Sequence, residues 1–123
     1  MAQILLVDDE IEFRDLLKNI LTLEMHSVVC AGDGNEALKL FSQQTFDVVI
    51  TDLVMPDKEG FEVIMEIRKL SPSIKIIAMT GGGFASASSY LSIAQAFGVN
   101  KTLAKPFSRD ELLHAIAITL AEA

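Results

Sequence analysis

Ile4-Leu5-Leu6-Val7-Asp8-Asp9 is an apolar run too short for a helix, closed by two adjacent acids. The pattern recurs. Val48-Val49-Ile50-Thr51 runs into Asp52, Ile76-Ile77-Ala78-Met79 into Thr80, and Thr102-Leu103-Ala104 into Lys105-Pro106. Short aliphatic runs bounded by polar residues read as buried strands. If they are neighbouring parallel strands, Asp8, Asp9, Asp52, Thr80 and Lys105 meet at one edge of one sheet. That edge is where α/β sheets build their sites.

Between these runs the apolar period becomes helical. Phe13, Leu16, Leu17, Ile20 and Leu21 fall on one helical face, and 27–31 reads as a further strand. Asp33-Gly34-Asn35-Glu36 suits a cap for a helix presenting Ala37, Leu38 and Phe41. A third helix buries Phe61, Ile64 and Ile67 and stops at Ser71-Pro72, because proline disfavours helix in the residue before it. A fourth is expected within 86–97, ending near Gly98. The last opens on Ser108-Arg109-Asp110-Glu111, a capping box, and buries Leu112, Leu113 and Ile116. Strands apolar on both faces need helices on both sides of the sheet. Right-handed crossovers then give a doubly wound α/β fold with five parallel strands and five helices.

The 123 residues fit one domain, half of them apolar, with a net charge of −7 that opposes nucleic-acid binding. No N-terminal signal pattern and no bilayer-spanning stretch is expected. The one cysteine, Cys30, sits in an apolar context and suits a reducing cytoplasm. His26 and His114 lack partners at metal-ligand spacing and read as ordinary surface or interface residues, while Met25, Met55, Met65 and Met79 read as core filler. Two carboxylates about 4 Å apart repel by roughly 4 kcal/mol at an effective dielectric of 20. Three clustered acids must therefore share protons or hold a cation, and hard oxygen ligands suit Mg²⁺.

Taken in order, Val7-Asp8-Asp9, Thr51-Asp52-Leu53-Val54-Met55-Pro56, Met79-Thr80-Gly81 and Lys105-Pro106-Phe107 closely resemble the receiver domains of two-component response regulators. The resemblance spans the whole chain. It implies a flavodoxin-like sheet of order 2-1-3-4-5, with Asp52 as phosphoacceptor for a phosphohistidine on a sensor histidine kinase or histidine phosphotransfer protein. Asp9 would bind Mg²⁺ directly and Asp8 mainly through water, with the Val54 backbone carbonyl completing the protein ligands. Thr80 and Lys105 would contact the phosphoryl oxygens, and the Lys105–Pro106 bond would be cis. Output would pass to a downstream effector through the face made by the 86–97 helix, the fifth strand and the last helix. A homodimer through that face is compatible with the sequence.

Three features depart from the family pattern. Thr102 stands where many receivers carry an inward-turning aromatic, so coupling to the output face must differ or be weaker; Tyr90 and Phe84 read as ordinary packing residues sooner than as a substitute relay. The run Gly81-Gly82-Gly83-Phe84-Ala85-Ser86 lengthens the loop after Thr80 and implies mobility there. Val54 and Gly82 offer no polar side chain to orient an attacking water, so self-dephosphorylation is not expected to be fast unless a partner assists.

Other classes remain as alternatives. A haloacid-dehalogenase-type phosphatase needs a second acid two residues after its nucleophile, where this chain has Val54. A flavin carrier would place its phosphate loop after the first strand, where Asp8, Asp9 and Glu10 repel phosphate. A receiver-like adaptor that acts without phosphorylation is the third.

Overall fold

A computed structural model of the protein describes residues 2–53, 60–81, 95–96 and 98–122. β1 (Gln3–Val7) leads through α1 (Ile11–Leu23) to β2 (Ser27–Ala31), and α2 (Gly34–Gln43) returns the chain to β3 (Val48–Asp52). Then come α3 (Gly60–Leu70), β4 (Lys75–Thr80), β5 (Lys101–Ala104) and α4 (Arg109–Ala121). All strand pairings are parallel, and the sheet order is β2-β1-β3-β4-β5. Four helices longer than one turn lie among the described residues. The helix expected within 86–97 falls mostly outside them; Gln95 and Ala96 are helical, and Gly98 follows with φ +72°.

Strand alternation sorts the core into two layers. Leu5 and Val7 of β1, Val49 of β3, and Ile76 and Ala78 of β4 pack with Ala37, Val63, Ile64 and Ile67. Their chain neighbours Ile4, Leu6, Val48, Ile50, Ile77 and Met79 face the other way, onto Leu17, Leu21, Leu112, Ala115 and Ile116. So α2 and α3 cover one face, and α1 and α4 the other. The right-handed crossover rule demands opposite faces for α1 and for α2 and α3, since α1 carries the chain one way across the sheet from β1 and α2 and α3 carry it back. α4, after the last strand, packs beside α1.

The caps fall where expected. The Asp33 side chain accepts from the Glu36 N–H, and Ser108 and Glu111 form the reciprocal capping box of α4. α3 ends at Leu70, two residues before Pro72. Other expectations need correcting. Leu16 is 55% exposed, because one residue before Leu17 is about 100° round the helix from the core stripe. Met25 is 70% exposed at φ +71° in the turn after α1, and Met65 is 40% exposed; of the methionines described, only Met79 fills core. Met55 lies outside the described residues. Cys30, on edge strand β2, is half-buried, and burial raises its thiol pKa.

Candidate functional site

At one edge of the sheet, backbone hydrogen bonds at the strand ends tie β1 to β2, β3 to β4 and β4 to β5. The Asp8 N–H donates to Ala31 O, the Leu53 N–H to Met79 O, and the Lys105 N–H to Thr80 O at 2.7 Å. On that edge Asp8, Asp52 and Thr80 are buried, an expensive arrangement for carboxylates unless they are paired. The partner is Lys105. Its Nζ donates to Asp8 Oδ2 at 2.8 Å and to Asp52 Oδ2 at 2.9 Å, across 97 and 53 residues of sequence. The Lys105 side chain is itself only 12% exposed.

Each group is held by further contacts. Asp8 Oδ1 accepts from the Glu10 N–H at 2.9 Å, and the Asp8 carbonyl accepts from the Arg14 guanidinium at 3.1 Å. Lys105 Nζ sits 4.4 Å from the Phe13 ring centroid, close enough for a cation–π contact, and Phe13 meets Phe107 edge-to-face at 5.6 Å. Burial pulls the Lys105 pKa down. The hydrogen bonds to Asp8 and Asp52, and their negative charge, outweigh that, and the net shift is upward. Lys105 therefore stays a full cation at neutral pH. The Lys105–Pro106 bond is cis.

Thr80 differs. Its Oγ1 is buried with no hydrogen-bond partner, an arrangement that ordinarily costs stability and suits a hydroxyl awaiting a ligand oxygen.

Asp8, Glu10 and Asp52 each offer a carboxylate oxygen within 4.8 Å of the other two. Clustered hard oxygen donors of this kind fit a divalent cation such as Mg²⁺. Asp9 is exposed and is not one of these three. Val54 and Gly82, and with them the expected carbonyl ligand, the water path and the glycine-rich loop, lie outside the described residues; so do Phe84 and Tyr90.

The site also uses residues whose part in it periodicity does not show. Gly60 opens α3 against the end of β3: its N–H donates to Leu53 O at 3.0 Å, and an added Cβ would lie 2.1 Å from Asp52 O and 2.5 Å from Leu53 Cα. Only glycine lets the helix approach the strand that carries Asp52 so closely. Glu10 and Phe13, both near Lys105, belong to the turn and first helix after β1. The helical period marks Phe13 as an apolar-face residue, but no spacing rule flags its contact with Lys105 or that of Glu10, because both depend on the reach of a lysine from the far end of the chain. A cavity of about 610 Å³ opens at the opposite edge, lined by Phe46, Asp47, Ile74, Lys75 and Leu120 among others. The acids and Lys105 are not among its lining residues.

Fold and site together define a doubly wound α/β domain with an acid–lysine cluster at the ends of its strands. The response regulator receiver domain family matches residues 4–117, and this chain belongs to that family. Among curated relatives, the probable transcriptional regulator ycf27 of Guillardia theta is 41% identical over 111 residues, covering 89% of this chain and 42% of the relative. Among solved structures, a response regulator receiver domain protein from Clostridium thermocellum superposes with TM-score 0.90 at 31% identity, covering 98% of this chain and 94% of that one. The response regulator protein TrrA of Thermotoga maritima, in complex with Mg²⁺ and BeF, superposes with TM-score 0.85 at 38% identity, covering 97% and 99%. The chain spans about half the length, or less, of the curated relatives it matches.

Proposed function

We propose that this receiver domain accepts a phosphoryl group on Asp52 from a phosphohistidine of a sensor histidine kinase or a histidine phosphotransfer protein. An Asp52 carboxylate oxygen attacks phosphorus, and the phosphorus–nitrogen bond breaks with its electron pair left on the imidazole. An aspartyl phosphate results. Phosphoryl transfer of this kind asks the protein for position and charge rather than for a general base. Lys105, already held beside Asp52, supplies fixed positive charge to the phosphoryl oxygens, and the Thr80 hydroxyl donates to one of them.

Asp8, Asp52, Asp9 and the Val54 carbonyl would hold Mg²⁺, with Asp9 direct and Asp8 mainly through water. Bound there, Mg²⁺ supplies charge that screens the acids from the incoming anion. The TrrA complex with Mg²⁺ and BeF supports this choice of metal. The observation that carries the reading is the Lys105 ammonium shared by Asp8 and Asp52 at the edge that also buries a partnerless Thr80 hydroxyl.

A hydrogen bond to a charged group contributes about 1.5–3 kcal/mol, whereas turning a 1:99 population into 99:1 takes about 5.5 kcal/mol. Thr80 alone cannot drive that switch: either Lys105 and the cation site also discriminate between the two states, or the active form is already populated without phosphate. Output to a downstream effector or a second copy, in a cytoplasmic pathway, would use β5 and α4; the 86–97 segment, the third part of the expected face, lies mostly outside the described residues. Among the described residues no helix is long and apolar enough to cross a membrane.

Incubation with phosphoramidate and Mg²⁺ should add about 80 Da, the mass of one HPO₃, in intact-mass detection. Asp52→Ala should abolish the adduct. An unlabelled wild type would favour the adaptor reading, and turnover of a small phosphomonoester would favour the phosphatase.

A further inference from the structure

Glu10 is the N-cap residue of α1, yet its side chain makes no capping hydrogen bond. Its carboxylate lies instead toward the pocket, with Oε1 3.6 Å from Lys105 Nζ and an oxygen within 4.8 Å of those of Asp8 and Asp52. A third acid beside two buried ones is repelled by both, so the ammonium is what makes this placement tolerable. An ammonium carries three N–H donors. Two are committed at 2.8 and 2.9 Å; among the described residues the Glu10 carboxylate, at 3.6 Å and beyond hydrogen-bond length, is left within reach of the third. The Glu10 side chain is 66% exposed and free to follow the lysine, while its own N–H stays fixed on Asp8 Oδ1.

Lys105 now holds the Oδ2 atoms of both Asp8 and Asp52, so a divalent cation drawn to those oxygens competes with the ammonium for them. Resting on their reading as cation ligands, we propose that Glu10 is a positioning residue for Lys105. Its carboxylate takes up the ammonium as Asp8 and Asp52 turn to the cation. The lysine thus stays at the pocket mouth, poised for the phosphoryl oxygens, and cation binding is strengthened because the displaced charge keeps a partner.

Two variants separate this role from a general field effect. Glu10→Gln removes the charge, and Glu10→Asp keeps the charge but stops one methylene short of Nζ. Both sit at an exposed position and spare the fold. Calorimetric titration with MgCl₂ should show both variants weaker than wild type by about two- to fivefold, the size expected of a partly exposed ion pair. In metal-free protein both should shift the Lys105 side-chain NMR signals. Wild-type Mg²⁺ affinity in Glu10→Asp beside a loss in Glu10→Gln would assign the effect to charge alone and overturn the proposal. Unchanged affinity in both variants would overturn it as well. A wild type that binds no Mg²⁺ would overturn the functional reading and this inference together, whereas normal wild-type binding with unaffected variants removes this inference only.

Discussion

The two ends of the same sheet are wired in different ways. At the edge where the strands begin, each polar side chain is tied mainly to backbone. Asp47 Oδ2 accepts from the Gln3 N–H at 2.7 Å, His26 Nδ1 from the Ala2 N–H at 3.1 Å, and Asn100 Oδ1 from the Ile76 N–H at 2.9 Å. Lys75 Nζ donates to the Leu120 and Glu122 carbonyls, holding the end of α4. Arg68 donates to the carbonyls of Pro72, Ile74 and Gly98. At the edge where the strands finish, charged side chains meet one another instead, and the Thr80 hydroxyl meets nothing. Side chains bound to backbone complete a fold. Side chains bound to each other, with a donor left over, are ready to exchange partners for a ligand.

Substitutions at matched positions can break that contrast. Lys105→Met leaves two buried carboxylates without their cation and should cost about 4 kcal/mol in metal-free protein by urea denaturation. Millimolar Mg²⁺ should restore part of it, and failure to do so would argue that the acids do not share a cation site. Gly60→Ala drives a Cβ into the Asp52 and Leu53 backbone, which cannot yield as a side chain would, and should cost about 3 kcal/mol. It should also slow Asp52 labelling, since α3 then pushes on the strand that presents the acid.

Lys75→Met, the counterpart at the other edge, should cost about 1.5 kcal/mol through lost carbonyl contacts and leave labelling unchanged. Impaired labelling in that variant would blur the distinction between the edges. The smallest effect concerns His26. Burial lowers its pKa below 6.5, and its neutral Nδ1 accepts the Ala2 N–H. The unfolded chain therefore takes up the proton first as pH falls. The stability due to this neutral imidazole is complete above pH 6.5 and is lost as pH drops from 6.5 through the lower folded value. His26→Gln should flatten that part of the urea-midpoint profile, and an identical slope in the variant would contradict the assignment.

Most of the architecture was legible because it is written in period and punctuation. Strand runs such as Ile4 to Val7 and Val48 to Thr51, with their closing acids, placed Asp8 and Asp52 on one edge, and the Asp33 and Ser108 caps marked helix starts. Strand order was not readable from pattern and came from family resemblance. What pattern missed shares one cause. Gly60, Glu10 and Phe13 matter through approach distances between backbones or through the reach of Lys105, and a linear period encodes neither. Leu16 was misjudged for a related reason: an apolar face read from spacing is wider than the stripe the sheet covers.

The central claim is that Asp52 itself carries the phosphoryl group, and mapping the modified residue tests it most directly. After labelling with phosphoramidate and Mg²⁺, borohydride reduction converts an aspartyl phosphate to homoserine, which peptide mass spectrometry can locate. Homoserine at position 52 and nowhere else is the predicted result. A hydroxylamine-stable phosphate on a serine or threonine, or homoserine at position 8 or 9, would contradict it.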